Sequence, residues 1–154
     1  MKIKWKELII AIAIPLAVGG LAALITRNSM DMYDSVTKPP LAPPAILFPI
    51  AWGVLYVLMG ISSYIIYNSN SALKSSALLI YAVSLVVNFV WPILFFNMQA
   101  FLASFLWLVL LWVLVLLTIL QYRKISPLAA YLQIPYLLWL TFAGYLNFMI
   151  YILN

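Results

Sequence analysis

The sequence contains no cysteine and no histidine, and only three of its 154 residues are acidic. Without cysteine there is no disulfide, no catalytic thiolate and no thiolate metal site. Without histidine the chain lacks the usual base near neutral pH and the commonest metal ligand. These absences exclude thiol catalysis and the common zinc sites, so we expect neither a metal site nor a cofactor.

Charge is scarce as well. Charged residues make up 7% of the chain and hydrophobic residues 68%, whereas a soluble domain is roughly a quarter charged. A soluble domain this small has too little interior to bury so much apolar surface. The charges leave three long gaps, between Lys38 and Lys74, between Lys74 and Arg123, and after Lys124. Each gap is long enough for a membrane-spanning helix, which needs about 20 apolar residues.

The apolar runs predict five membrane-spanning helices. They cover residues 7–26, 45–67, 75–96, 101–120 and 128–152. The first run follows three lysines, as in a signal peptide, but it is longer than a signal core of roughly 7–15 residues and lacks a good cleavage context. Only one connection, a Pro-rich loop over residues 27–44, is long. The sequence thus predicts an all-α membrane protein, a five transmembrane helix bundle that forms one domain over residues 1–154.

Basic residues concentrate on one side of these spans. Short loops rich in Lys and Arg stay in the cytoplasm, so the more basic side, which carries the amino terminus, is predicted to be cytoplasmic. The net charge of +5 then describes a collar attracted to anionic membrane lipid, and we expect no nucleic-acid partner. The basic side carries Lys2, Lys4, Lys6, Lys74, Arg123 and Lys124, and the other side carries Arg27 and Lys38 beside Asp31 and Asp34.

Inside the spans, ionisable groups are missing apart from Glu7 at an edge, which disfavours ion-coupled transport. Three spans instead each present a polar and aromatic face at helical spacing. Such faces are typical of helix packing, which we favour on spacing alone, or of a ligand pocket. The faces are Trp52, Tyr56 and Ser63 in the second span, Tyr81, Ser84, Asn88, Trp91 and Phe95 in the third, and Trp139, Ala143 and Asn147 in the fifth.

The long loop is stiff, because Pro39, Pro40, Pro43 and Pro44 fix the backbone and exclude a helix there. It is either a rigid spacer or a lid over the mouth of the bundle.

Six short motifs occur in order from about Tyr33 to the carboxyl end. Together they resemble the TspO/MBR family, the translocator proteins also known as peripheral-type benzodiazepine receptors. The motifs are Tyr33 with Lys38-Pro39, Pro43-Pro44, Phe48 with the run Trp52 to Tyr56, the run Asn88 to Pro92 with Phe95-Phe96, the run Pro135 to Trp139, and Ala143 with Leu146-Asn147.

The resemblance implies a bundle, often a homodimer, with a pocket under the first loop for tetrapyrroles such as protoporphyrin IX. Trp52 and Trp139 match family tryptophans that line this pocket and are implicated in light-dependent porphyrin breakdown by some bacterial relatives. A bacterial cytoplasmic membrane is the implied location, with membrane lipid as a further partner. The candidate ligand-binding residues are Tyr33, Lys38, Pro43, Pro44, Phe48, Trp52, Tyr56, Asn88, Trp91, Phe95, Trp139, Phe142 and Ala143.

Two departures from the family pattern limit the comparison. No basic residue follows Tyr145, so the sterol motif of animal members is incomplete, and the fourth span has no acidic residue near Ser104.

From the resemblance as a whole we predict a tetrapyrrole receptor or sensor. A light- or oxygen-dependent porphyrin-degrading enzyme, with Trp52 and Trp139 as its catalytic residues, and a transporter of porphyrin-like or lipid ligands remain alternatives.

Overall fold

The computed structural model describes residues 2–154, and this part of the chain contains helices and connecting turns but no strand. Five of its helices are long and apolar enough to cross a membrane, which confirms the predicted fold class. The helices are α1 (Trp5–Thr26), α2 (Asp31–Ser35), α3 (Leu47–Tyr67), α4 (Lys74–Pro92), α5 (Phe101–Ile125) and α6 (Pro127–Leu153), with a 3-10 turn at Arg27–Ser29 and a π-helical extension of α4 at Ile93–Asn97.

Two segments differ from the sequence expectation. The helix α5 runs five residues beyond the predicted span, because Arg123 and Lys124 lie in its last turn, where positive charge is favourable beside the exposed carbonyl groups. The Pro-rich loop is non-helical around its four prolines, as expected, but α2 forms one short helix before them.

The five long helices form a closed ring. The helix α1 packs against α3 and α4, α3 packs against α6, α6 against α5, and α5 against α4. Ser126 alone separates α5 from α6; its hydroxyl oxygen accepts a hydrogen bond from the Ala129 N–H at 3.3 Å, and Pro127 occupies the first helical position. We call the end where α1 and α6 finish and α3 and α5 begin the loop end of the bundle.

Glycine brings α1 and α3 into close contact. A Cβ at Gly60 would lie 2.7 Å from the carbonyl oxygen of Ala11, and one at Gly19 would collide with the ring of Tyr56. Small residues allow such close approach in membrane bundles. Ala13, Ala17 and Gly20 form a stripe of small residues on one face of α1, a pattern that allows close packing inside the bundle or between copies. This stripe is exposed on the outside of the bundle.

Candidate functional site

The loop end of the bundle holds a small cavity with mostly aromatic walls, the aromatic cavity. Its water-accessible volume is about 10 Å³, room for about one water molecule. Side chains from α2, α3, α6 and the end of α4 converge on it. The lining residues are Tyr33, Phe48, Trp52, Trp91, Phe95, Phe96, Trp139, Ala143, Leu146 and Asn147.

The rings on one side of the aromatic cavity meet edge to face. The centroids of Trp52 and Trp139 lie 6.3 Å apart with ring planes at 85°, and those of Phe48 and Trp139 lie 6.0 Å apart at 69°. Tyr33 meets Phe48 in the same way at 5.1 Å. Edge-to-face contacts of this kind are favourable and leave no flat slot between the rings. A planar ligand therefore requires these rings to separate.

Trp91 and Trp139, which both line the aromatic cavity, differ in their hydrogen bonding. Trp91 donates its indole N–H to Oδ1 of Asn147 at 3.0 Å. The indole N–H of Trp139 is buried and has no hydrogen-bond partner among the described residues. An unpaired buried donor is costly, and more so inside a bilayer. Trp139 therefore holds a donor that a ligand with an acceptor atom can use.

A polar network supports Trp52 from behind. Tyr56 stacks on Trp52 with centroids 5.6 Å apart, and its hydroxyl donates to Oδ1 of Asn88 at 2.9 Å. The Asn88 amide nitrogen in turn donates to the Tyr136 hydroxyl at 2.6 Å. Because both ends of the Asn88 amide are bonded to tyrosines, Asn88 links three helices and fixes the position of Trp52.

The loop and α2 close the aromatic cavity from above. Tyr33 is only 2% exposed, and its hydroxyl donates to the carbonyl oxygen of Pro43 at 2.8 Å. Burial, and then the negative charge of Asp34, raise the pKa of the Tyr33 hydroxyl. The hydroxyl thus keeps the proton that it donates to the loop.

Two further sets of hydrogen bonds involve this cover, one within it and one to the end of α6. Nζ of Lys38 donates to the carbonyl oxygens of Tyr33 at 2.8 Å and Val36 at 3.2 Å, so it caps the carbonyl end of α2. At the end of α6, the Asn154 side-chain amide pairs with the backbone of Thr37. Its nitrogen donates to the Thr37 carbonyl at 2.9 Å, and its oxygen accepts from the Thr37 N–H at 3.0 Å. We call this pair the Asn154 clasp.

The candidate residues predicted from the sequence fall into three groups. Seven line the aromatic cavity, Tyr56 and Asn88 form the layer behind Trp52, and the remaining four lie outside both. The ring of Phe142 lies 5.7 Å from that of Trp139 but does not line the cavity, Lys38 and Pro43 belong to the cover, and Pro44 is exposed. The seven lining residues are Tyr33, Phe48, Trp52, Trp91, Phe95, Trp139 and Ala143.

Three lining residues were absent from the predicted set, namely Phe96, Leu146 and Asn147. Helical spacing already placed Asn147 on the face of Trp139 and Ala143. Its role in holding Trp91 depends on the contact between α4 and α6, which spacing cannot show. Phe96 reaches the cavity because the π-helical turn after Pro92 changes the direction of successive side chains.

Comparisons with known proteins identify the family of this chain. Residues 11–153 match the TspO/MBR family. The Tryptophan-rich protein TspO of Chlorobaculum tepidum is 35% identical over 150 residues, which cover 96% of this chain and 95% of that protein. The protein of the same name from Archaeoglobus fulgidus is 38% identical over 149 residues, 96% and 97% of the two chains. The Tryptophan-rich sensory protein of Cereibacter sphaeroides is 32% identical over 118 residues, 77% and 73% of the two chains. This chain therefore belongs to the TspO/MBR family of integral membrane proteins.

Proposed function

We propose that this protein is a membrane receptor or sensor that binds tetrapyrroles such as protoporphyrin IX in the aromatic cavity. The unpaired indole N–H of Trp139, buried among aromatic rings, is the observation that carries the proposal. A tetrapyrrole supplies a large π surface for the rings and acceptor atoms for this donor. The sensory name of the Cereibacter sphaeroides relative agrees with a receptor.

Binding requires the site to open. Pockets for small molecules typically have volumes of about 300–1,000 Å³, whereas the aromatic cavity measures about 10 Å³. The hydrogen bonds of Tyr33 and Lys38 lie within the cover, and those of Asn154 join it to the end of α6. Opening therefore requires the cover to leave α6 and the rings of Trp52 and Trp139 to rotate apart. The ligand propionates would then meet the cations of the loop end, Lys38 and Arg27.

The macrocycle should contribute more to recognition than a central metal. Haem iron is usually held by His, Cys, Met or Tyr, and this chain has no His or Cys. Among the tyrosines near the aromatic cavity, Tyr33 and Tyr56 already donate to protein oxygens. Metal-free protoporphyrin should thus bind at least as tightly as ferric haem.

Titration of the purified protein with metal-free protoporphyrin in the dark, followed by fluorescence anisotropy of the porphyrin, tests this function. Trp139→Phe keeps an aromatic ring but removes the N–H donor. It should weaken protoporphyrin binding by about fivefold, which corresponds to about 1 kcal/mol for one hydrogen bond. Trp5→Phe is the matched control, because Trp5 is exposed at the other end of the bundle. Absence of protoporphyrin binding would contradict the proposed function, and equal affinity of all three proteins would contradict the role of the Trp139 donor. Haem binding ten times tighter with a ligated-iron spectrum would contradict the predicted preference for the metal-free macrocycle.

An enzyme is the second candidate, because the two indoles of Trp52 and Trp139 lie 6.3 Å apart at one site and tryptophan can be oxidised. Illuminating the same complexes in the presence of dioxygen distinguishes the two functions. A receptor leaves the porphyrin spectrum as stable as that of free porphyrin. A photo-oxidative enzyme accelerates its loss, and Trp52→Phe and Trp139→Phe slow that loss.

A further inference from the structure

A second and larger cavity lies outside the ring of helices, in the groove between α5 and α6. We call it the outer groove; its water-accessible volume is about 350 Å³. Leu108 and Leu140, each 1% exposed, are its most deeply buried lining residues, and Trp112 and Phe148 also line it. It is separate from the aromatic cavity, since the two share no lining residue.

The outer groove is open above Gly144 of α6, a lining residue that places no side chain in it. A Cβ at Gly144 would have only one neighbour within 4 Å, the side chain of Leu108 at 4.0 Å. The space above Gly144 is therefore open, although α5 and α6 pack closely along most of their length. The groove is a local depression in an otherwise tight helix pair.

The chemistry of the groove suits hydrocarbon. The indole N–H of Trp112 donates to Oγ1 of Thr141 at 2.9 Å, and the Thr141 hydroxyl donates to the carbonyl oxygen of Leu137 at 2.9 Å. These polar groups are thus satisfied within the protein, in contrast to the indole N–H of Trp139. What remains for an occupant is mainly apolar and aromatic surface, which is favourable for a chain of methylene groups.

The position of the groove also suits a lipid tail. Its lining runs from residue 105 to 112 in α5 and from 140 to 148 in α6, so it extends about 11–12 Å along the helices at 1.5 Å per residue. This is most of one leaflet, which is about 15 Å deep in a hydrocarbon core of about 30 Å. The groove therefore runs parallel to the lipid tails, in the leaflet at the loop end.

We infer that the outer groove is a binding site for one acyl chain of a phospholipid in the leaflet at the loop end. A second copy of the chain fits less well, because a two-fold dimer centred here would place one concave groove against another and leave a void. The inference does not depend on the tetrapyrrole proposal, since the lining residues differ.

Photolabelling tests this site. The full chain is placed in bilayers of phosphatidylcholine that carries a photoactivatable diazirine in the middle of one acyl chain, and the labelled residues are mapped by mass spectrometry. Residues 105–112 and 140–148 should be labelled several times more per exposed area than the lipid-facing side of α1. Gly144→Leu should reduce their labelling to the level of α1.

Gly20→Leu is the matched control, because Gly20 is also exposed on a membrane-spanning helix with nothing within 4 Å of its Cβ position. It should leave the labelling of the outer groove unchanged, and circular dichroism should show that both variants keep the wild-type helix content. Labelling proportional to exposure everywhere in the wild-type protein would overturn the inference. So would crosslinks between protein chains across α5 and α6 in place of lipid adducts, because a second copy would then be the occupant.

Discussion

The aromatic cavity and the outer groove lie on opposite sides of the same helix and differ in almost every property. Ala143 lines the first and its neighbour Gly144 lines the second. The aromatic cavity is small and is lined by Trp139, whose indole N–H is unpaired, whereas the groove is some 350 Å³ in volume and the indole N–H of its Trp112 is bonded to Thr141. The comparison shows that volume alone is a poor guide to specific recognition. The unpaired donor among aromatic rings offers a ligand one directional contact, and the groove, whose Trp112 and Thr141 are bonded within the protein, suits hydrocarbon.

The largest effect concerns the side of the membrane on which both cavities lie. The bias of basic residues predicts that the loop end is outside the cytoplasm. Because the chain has no native cysteine, single cysteines report cleanly: Ser35→Cys should react with an impermeant thiol reagent in intact cells, and Asn70→Cys should react only after lysis. The reverse pattern would move both cavities to the cytoplasmic leaflet and change the side from which a ligand enters.

Filling each cavity in turn tests whether the two are independent. The added side chain of Ala143→Leu should clash with a bound macrocycle at a cost of about 1–3 kcal/mol, and so reduce protoporphyrin affinity by about five- to 150-fold. Gly144→Leu extends into open space on the other side of α6 and should leave that affinity within about twofold, less than 0.5 kcal/mol. Dark titration of the two variants measures both effects. Similar losses in both would mean that the two cavities are coupled through α6.

The smallest effect concerns the rate of opening. Asn154→Ala removes both hydrogen bonds of the Asn154 clasp, which should favour the open cover by about 1 kcal/mol. The association rate of protoporphyrin in stopped-flow experiments should then rise by about fivefold. Asn70→Ala, an exposed asparagine at the opposite end, serves as the control. An unchanged rate for Asn154→Ala would show that the cover is not the barrier to entry.

Most of the fold was readable from the sequence, because apolar runs of membrane length admit few structures other than spanning helices. The errors occur where hydropathy and helix formation diverge. Arg123 and Lys124 end the apolar run, but α5 continues to Ile125, the residue before Ser126 and Pro127. Asp31 to Ser35 are too polar to span the membrane, yet they complete one helical turn.

Only part of the candidate site could be predicted from the sequence. Helical spacing and the family resemblance selected Trp52, Trp139 and most of the residues that the structure brings together around them. Neither could show that the Trp139 N–H lacks a partner or that Asn147 holds Trp91, because both depend on contacts between distant helices. The outer groove could not be predicted either, since it depends on how α5 and α6 pack around Gly144.

The single-residue connection at Ser126 has a consequence for biosynthesis. Because only one residue connects them, α5 and α6 cannot enter the bilayer as independent segments. The depth at which α5 ends fixes the depth at which α6 begins. They should leave the translocon together as a helical hairpin, with Arg123 and Lys124 keeping its turn at the membrane surface. A flexible linker inserted after Ile125 would separate these two events, and the pairing of the helices would then depend on their encounter within the membrane.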